Sequence, residues 1–173
     1  FRAQDLTVAA KPDLTLVTDA DRSAEELIRA QLGRSRPRDA VVGEEYGTTG
    51  HGPRRWVVDP IDGTHNFVRG VPVWATLISL IVDDAPVLGL VAAPALGRRW
   101  WAAVGSGAWA GRSLTSAQRI SVSEVSRLED ASLSLASVTS WDAVGRTEAV
   151  LDLARTCWRE RGFGDFWSYM LLA

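Results

Sequence analysis

Two acids three positions apart, Asp59 and Asp62, follow a short apolar run that predicts a buried β-strand. Two carboxylates at i and i+3 on a turn that follows the strand can share divalent cations, with Asp59 bridging two ions and Asp62 binding one. The backbone carbonyl of Ile61, which lies between them, can add a third oxygen. Because oxygen-only ligand sets suit Mg²⁺, this stretch predicts a magnesium site.

Gly63 and Thr64 come directly after the second acid and are predicted to begin a helix. The first N–H groups of a helix have no partner within it, and glycine lets the backbone approach an anion closely, so this end suits a phosphate group. A water molecule polarised between two metal ions roughly 3.5–4 Å apart is a nucleophile at neutral pH. The combination favours hydrolysis of a phosphate monoester, although the stretch taken alone fits a capped turn equally well.

Other routes to phosphate chemistry are excluded by single residues. No Walker A loop is present. A cysteine nucleophile requires an arginine six residues later, but Cys157 is followed there by Phe163, and His51 lies in Gly-His-Gly rather than Arg-His-Gly. Pro60 occupies the position at which an aspartyl-phosphate enzyme would need its nucleophile. The chain is therefore expected to use water rather than a covalent intermediate.

Composition argues against several classes of protein. The 173 residues carry a formal net charge of -2, with charges spread along the chain, so no nucleic-acid partner is expected. No apolar run approaches the roughly 20 residues of a membrane helix. No signal peptide is recognisable either, which predicts a cytoplasmic protein without membrane contact. Because Cys157 is the single cysteine, internal disulfides and cysteine-rich zinc sites are excluded.

The elements that must position the acids are a helix and two strands. The helix is expected to begin after Thr18 and to end at Gly33. One strand leads into Glu44 and Glu45, and the other leads into Asp59. Both strand ends are therefore expected to deliver carboxylates to one place.

The rest of the chain is predicted to add a meander of strands, with turns at residues 83–84 and 105–107. A strand in Ala-Ser-Leu-Ser-Leu-Ala-Ser, a helix over 142–157 and a final helix follow. The final helix has no cap or stop signal, so the sequence is expected to break off inside a domain, leaving the fold incomplete at its C-terminus. The predicted division is an N-terminal metal-binding subdomain, 1–117, and the start of a C-terminal subdomain, 118–173.

Four stretches in sequence order resemble the inositol monophosphatase family of Mg²⁺-dependent phosphomonoesterases: VTDADRSAE, VVGEEYG, WVVDPIDGTHNFVRGVPVW and LGLVAAPALGRRWWAAVGSGAW. Two phrases, NFVRGVPVWATLI and APALGRRWWAA, further resemble the bacterial histidinol-phosphatase branch. The resemblance implies an α/β fold, an α+β layered sandwich of the inositol monophosphatase and sugar-phosphatase type. It also implies a homodimer that hydrolyses L-histidinol phosphate in histidine biosynthesis. The alternative substrates are inositol 1-phosphate or another small sugar or nucleotide phosphate.

The resemblance also implies roles for individual residues. Glu44 resembles the ligand that holds the first Mg²⁺ and touches the attacking water, and Asp21 with Thr64 resembles the pair that activates this water. Glu45 resembles a weaker metal contact. The remaining metal ligands would be Asp59, the Ile61 carbonyl and Asp62. The residues facing the substrate or its phosphate group would be Asp59, Asp62, Gly63, Thr64, Arg161, Gly164 and Asp165.

One metal ligand of the family, the aspartate of a Trp-Asp motif that follows the last helix, is not matched. The Trp141-Asp142 pair precedes that helix, and Asp142 is predicted to cap the start of an earlier one. A second class of function therefore stays open, an inactive fragment that binds metal or a partner chain without turnover. Lys11 is expected to be an ordinary exposed lysine. The expected packing residues on strands are Trp74, Trp100 and Trp101.

Overall fold

The computed structural model describes residues 1, 6–11 and 16–173, which divide into two units, Phe1–Ile120 and Ser121–Ala173. The ranges predicted from the sequence, 1–117 and 118–173, place the boundary just before a short strand at Gln118–Ile120. This strand belongs to the sheet of the first unit, because Gln118 lies opposite Ala110 in an antiparallel ladder. The first unit therefore extends through Ile120.

The first unit begins with an antiparallel strand pair and a helix: β1 (Val8–Ala10), β2 (Leu16–Thr18) and α1 (Asp19–Ser35). The predicted helix start is confirmed, because the Thr18 hydroxyl accepts from the N–H of Asp21 and the Asp21 carboxylate accepts from the N–H of Thr18. The predicted end at Gly33 is wrong. One glycine inside a helix costs only about 1 kcal/mol, and α1 continues for another two residues.

An eight-stranded sheet follows, built from β3 (Ala40–Gly43), β4 (Gly47–Thr49), β5 (Arg54–Asp62), β6 (Ala75–Val82), β7 (Ala85–Ala93), β8 (Arg98–Ala103), β9 (Gly107–Gly111) and β10 (Gln118–Ile120). The strand order is β10-β9-β8-β7-β6-β5-β3-β4. The predicted meander is confirmed for β6 to β9. Asp83 and Asp84, both with positive φ, form its first turn, as a two-residue hairpin loop requires.

The pairing of β3 with β5 is parallel, so both strands end at the same edge of the sheet. Gly43 lies opposite Val58 in this ladder, and the N–H of Glu44 donates to the Val58 carbonyl at 3.2 Å. Glu44 and Asp59, the acids that come next along each strand, are therefore neighbours. The expectation that two strand ends deliver carboxylates to one place is confirmed.

The run from Asp59 to Asp62 was expected to form a turn, but it is the last part of β5. Its pairing with β6 shifts register between these two acids. Pro60 has no N–H to contribute to a ladder, and it lies at this irregularity, where Thr76 donates from its hydroxyl to the Pro60 carbonyl at 2.8 Å. Helix α2 (Thr64–Val68) begins directly afterwards, as predicted, after Gly63 with a φ of 84°.

The second unit contains a pair of short parallel strands and three helices: β11 (Ser132–Ser134), α3 (Val138–Ala143), α4 (Thr147–Thr156), β12 (Arg159–Arg161) and α5 (Asp165–Leu172). The single helix predicted over 142–157 is therefore two helices, separated at Gly145 with a φ of 66°. The capping role predicted for Asp142 at a helix start is wrong, because this residue lies in the last turn of α3. Its carboxylate accepts from the Thr147 hydroxyl at 2.9 Å instead.

Tryptophans of the first unit serve packing. Trp100 is buried on β8 with the guanidinium of Arg98 5.3 Å from its ring centroid, and Trp101 lies opposite Trp109 on β9. Trp74 precedes β6 rather than lying on a strand, which corrects its predicted position. Its ring meets that of Phe67 edge-on at 4.9 Å. Within the described residues, no helix combines the length and the apolar character needed to cross a bilayer.

Candidate active site

The two strand-end acids, Glu44 and Asp59, form the centre of the candidate site. Burial together with the charges of Glu44 and Asp62 raises the pKa of Asp59 to about 8. The Oδ1 atom of Asp59 is buried, and none of the described residues donates a hydrogen bond to it. A cation placed there would relieve the repulsion among three acids and satisfy the buried oxygen.

Asp21 and Thr64, which the resemblance pairs, lie next to each other. Asp21 is buried in the first turn of α1, where its Oδ2 accepts from the N–H of Thr18 at 2.8 Å and from the Thr18 hydroxyl. Its Oδ1 is 3.4 Å from the Thr64 hydroxyl, which is also 3.0 Å from the Ile61 carbonyl. Because a hydroxyl carries one proton, Thr64 can donate to the Asp21 carboxylate or to the Ile61 carbonyl, but not to both at once.

Lys11 is not the ordinary exposed lysine that the sequence predicts. Its ammonium lies 2.6 Å from Oε1 of Glu44 and 2.7 Å from Oε1 of Glu45, and its side chain is only 18% exposed. Burial lowers the pKa of Lys11, but the hydrogen bonds to Glu44 and Glu45 outweigh burial and hold the pKa above its ordinary value. Lys11 therefore places a positive charge against Glu44, the acid that directly follows β3.

The residues present fit a divalent cation, although they are not closed around one. Within residues 6–11 and 16–173, no three carboxylate, imidazole or thiol side chains are gathered closely enough to hold a metal ion as they stand. Glu44 is paired with Lys11 instead. The partnerless buried oxygen of Asp59 and the crowding of Glu44 and Asp62 around it nevertheless match the demands of a hard, oxygen-preferring ion such as Mg²⁺.

A second buried acid besides Asp21, Glu25, was missed in the sequence. It is 0% exposed, lies one helical turn after Asp21 on α1, and forms an ion pair with Arg29 at 2.6 Å. The sequence did contain a signal for this cluster. Asp21, Glu25 and Arg29 recur at intervals of four residues and therefore share one helix face. An acid and a base at i and i+4 usually mark a solvated face, so the spacing alone did not indicate burial.

The three predicted substrate residues near the C-terminal end belong to the second unit. Arg161 ends β12 and donates from its guanidinium to the Glu160 carbonyl at 2.6 Å. Gly164 precedes α5 with a φ of 69°, and Asp165 is the first residue of that helix with a φ of 46°. Their local conformations are defined, and their contact with a substrate stays a prediction.

Comparison with known proteins places these residues in a family context. Residues 1–157 match the model of the inositol monophosphatase family. The chain is 60% identical to the histidinol-phosphatase of Streptomyces coelicolor, with all of this chain and 66% of that protein covered. It is 55% identical to the histidinol-phosphatase of Mycobacterium tuberculosis, covering all of this chain and 67% of that protein.

A solved structure supports the fold. The crystal structure of the extragenic suppressor protein suhB from Bartonella henselae superposes with a TM-score of 0.82 at 30% identity, covering 94% of this chain and 62% of that one. The expected α/β fold is confirmed by this similarity. The chain spans about two thirds of the length of the curated relatives that it matches.

Proposed function

The chain belongs to the inositol monophosphatase family, and we propose that it carries the active site of a Mg²⁺-dependent phosphatase that hydrolyses L-histidinol phosphate to L-histidinol and phosphate. The observation that carries the proposal is the crowding of Asp59 by Glu44 and Asp62, with one buried oxygen of Asp59 left without a donor. Such an arrangement is costly for a protein without a cation and suits one that binds it.

The residues that would hold Mg²⁺ are Glu44, Asp59, Asp62 and the carbonyl of Ile61. When bound, Mg²⁺ supplies Lewis acidity, lowering the pKa of a water molecule and offsetting the negative charge of the phosphate. Asp59 and Asp62 would meet the phosphate only through bound cations, because carboxylates repel it directly. Glu45, whose side chain is 6% exposed and paired with Lys11, would contribute charge from behind Glu44.

Proton transfer is assigned to the Asp21–Thr64 pair. Hydrolysis forms a bond from the water oxygen to phosphorus, breaks the ester P–O bond and releases one proton from the water, while the departing alcohol oxygen takes one up. A Thr64 hydroxyl that donates to Oδ1 of Asp21 turns an oxygen lone pair outward, where it can accept from the attacking water. The proton would pass through Oγ1 of Thr64 to the Asp21 carboxylate, which the N–H and the hydroxyl of Thr18 hold in place.

The backbone N–H groups of Gly63 and Thr64 would donate hydrogen bonds to the phosphate oxygens. Helix α2 has only five residues, so its contribution is that of a few free N–H groups rather than a long helix. Arg161, Gly164 and Asp165 would face the organic part of the substrate. An acid such as Asp165 suits the amino group of histidinol phosphate, whereas a polyol such as inositol needs neutral hydrogen-bonding partners. The predicted homodimer and cytoplasmic location remain predictions.

The test is phosphate release from L-histidinol phosphate and inositol 1-phosphate in parallel, using the product of the complete gene with Mg²⁺ or with a chelator. We expect the hydrolysis of L-histidinol phosphate to require Mg²⁺. Its rate should exceed the rate for inositol 1-phosphate by at least about tenfold, which is within the usual range by which a binding pocket discriminates between substrates. Faster hydrolysis of inositol 1-phosphate would replace the substrate assignment. No release from either substrate would favour a binding protein without turnover.

A further inference from the structure

Glu25 is an acid that the proposed chemistry does not use, yet it is completely buried in the middle of α1. A buried carboxylate is expensive unless its oxygens are hydrogen-bonded and its charge is paired. Both conditions hold here. Oε1 of Glu25 accepts from Nε of Arg29 at 2.6 Å and from the N–H of Tyr46 at 3.3 Å, and Oε2 accepts from the N–H of Glu45 at 2.7 Å.

The backbone donors come from the connection between β3 and β4, which carries Glu44. Arg29 extends these bonds into β4, because its guanidinium donates to the Thr49 hydroxyl at 2.9 Å and to the Gly47 carbonyl. One ion pair on α1 therefore bonds the segment from Glu45 to Thr49 at four points. The carboxylate of Glu44 takes no part in this network and stays 45% exposed.

A second, independent feature is Gly43, the last residue of β3. A Cβ atom built on Gly43 would lie 1.8 Å from Oε1 of Glu25 and 2.7 Å from a guanidinium nitrogen of Arg29. No side chain larger than hydrogen fits this space without moving the ion pair. The main chain therefore contacts the Glu25 carboxylate on both sides of Glu44. Gly43 lies against it before Glu44, and the N–H of Glu45 donates to it after Glu44.

We propose that Glu25 is a positioning residue, which fixes the backbone on both sides of Glu44 and so presents that carboxylate beside Asp59 for Mg²⁺. This inference rests on the proposed metal site. Outer partners that orient metal ligands commonly change metal affinity when they are mutated, even though they never touch the ion. Glu25 acts on the main chain next to the ligand rather than on the ligand side chain.

The test compares Glu25→Gln with Glu26→Gln in the product of the complete gene. Both substitutions remove one negative charge from α1, but Glu26 is exposed and, among the described residues, accepts a hydrogen bond from the Tyr46 hydroxyl alone, so it controls for long-range charge. The amide nitrogen of glutamine cannot accept a hydrogen bond, so at least one donor facing residue 25 loses its partner. Mg²⁺ affinity is measured by calorimetry, and amide hydrogen exchange at Glu45 and Tyr46 is measured without metal.

For Glu25→Gln we expect Mg²⁺ binding weakened by about 10–100-fold, faster exchange at Glu45 and Tyr46, and kcat largely recovered at saturating Mg²⁺. Glu26→Gln should change none of these by more than a small factor. A merely structural role would lower the melting temperature without raising the Mg²⁺ requirement. Equal Mg²⁺ affinity in the two variants would therefore overturn the inference.

Loss of Mg²⁺ binding in the wild type and failure of Glu25→Gln to fold each have a distinct consequence. If the wild-type protein does not bind Mg²⁺, the proposed function fails, and unchanged exchange at Glu45 and Tyr46 in Glu25→Gln would overturn the positioning role as well. If Glu25→Gln does not fold, Arg29→Lys takes its place, because lysine keeps the charge but loses the planar fork that reaches Thr49 and Gly47. That variant should show the same weakening in smaller degree, and wild-type Mg²⁺ affinity would contradict the inference.

Discussion

The hydroxyl of Thr64 lies 3.4 Å from Oδ1 of Asp21 and 3.0 Å from the carbonyl oxygen of Ile61. The carboxylate of Asp21 and the carbonyl of Ile61 therefore compete for the one hydroxyl proton of Thr64. Occupation of the Ile61 carbonyl by a cation would leave the hydroxyl proton for Asp21, which is the orientation that proton transfer needs. The link joins the start of α1 to the start of α2, and it gives the first prediction.

Thr64→Val should lower kcat by about 100-fold at saturating Mg²⁺, the lower part of the range for general acid–base contributions. Valine keeps the shape of threonine but has no hydroxyl to relay a proton to Asp21. Thr64→Ser, which keeps the hydroxyl, is the matched control and should stay within a few-fold of the wild type. Steady-state kinetics with both variants makes the comparison, and similar losses in both would show that packing rather than the hydroxyl matters.

Lys11→Met should tighten Mg²⁺ binding. The Lys11 ammonium pairs with Glu44 and Glu45, so a cation must displace it before Glu44 can become a ligand. Because the Glu44 side chain is 45% exposed, its pairing with Lys11 is expected to contribute up to about 1 kcal/mol, which corresponds to a gain of about two- to fivefold in affinity. Arg22→Met removes a charge from the same cleft of about 470 Å³ and serves as the control. Calorimetric affinities that are unchanged or weaker in Lys11→Met would contradict the expectation.

Gly43→Ala should destabilise the first unit by about 1–3 kcal/mol, the usual cost of overpacking. The added methyl group would overlap Oε1 of Glu25, whose carboxylate is held in place by Arg29 and by two backbone N–H groups. Gly33→Ala is the control, since a Cβ atom built there meets no described atom within 4 Å beyond its neighbours in the helix, and α1 should gain up to about 1 kcal/mol. Urea unfolding measures the free energy of unfolding of both variants. If Gly43→Ala is as stable as Gly33→Ala, the hydrogen bonds of Glu25 do not hold its carboxylate rigidly.

Asp39→Asn should reduce stability at pH 7 but not in acid. The Asp39 side chain is 8% exposed and accepts from Trp56 at 2.9 Å and Arg54 at 3.1 Å. Partial burial raises its pKa, but the bonds from Trp56 and Arg54 outweigh burial and leave the pKa below its ordinary value. A lowered pKa stabilises the fold above the unfolded-state pKa of about 3.9, and this contribution is lost as the pH falls through the folded-state pKa.

The expected cost of Asp39→Asn is about 0.5–1 kcal/mol at pH 7 after solvent screening. It should shrink below about pH 4 as the wild-type carboxylate takes up a proton. Urea midpoints of both proteins between pH 3 and pH 7 test this. Asp152→Asn breaks a pair in which both side chains are mostly exposed and should have little effect at any pH. A cost for Asp39→Asn that is constant with pH would rule out the ionic origin.

Much of the fold and of the site follows from local sequence patterns. Apolar runs that end in acids predicted β3 and β5, and Thr18 predicted the start of α1, because strand ends and helix caps depend on a few adjacent residues. The parallel pairing that makes Glu44 and Asp59 neighbours is a long-range choice. The sequence could only suggest it, since neither strand specifies its partner.

The features that the sequence missed are tertiary in origin. Glu25 and Arg29 have the spacing of a solvated helix pair, and only the approach of Gly43 and the Glu45 backbone buries them. Lys11 is read as exposed until the segment after β3 brings two carboxylates to it. The run at Pro60 looks like a turn because proline and acids favour one, yet pairing with β6 draws it into a strand.

The central claim is that Asp59 is a Mg²⁺ ligand, and Asp59→Asn tests it most directly. Asparagine keeps the size of the side chain and cannot carry the charge that burial, Glu44 and Asp62 disfavour, so the metal-free protein should be at least as stable as the wild type. The account predicts that added Mg²⁺ no longer raises the melting temperature and that turnover falls by more than about 100-fold, beyond the effect of outer-shell partners. A folded Asp59→Asn protein with wild-type Mg²⁺-dependent turnover would contradict it.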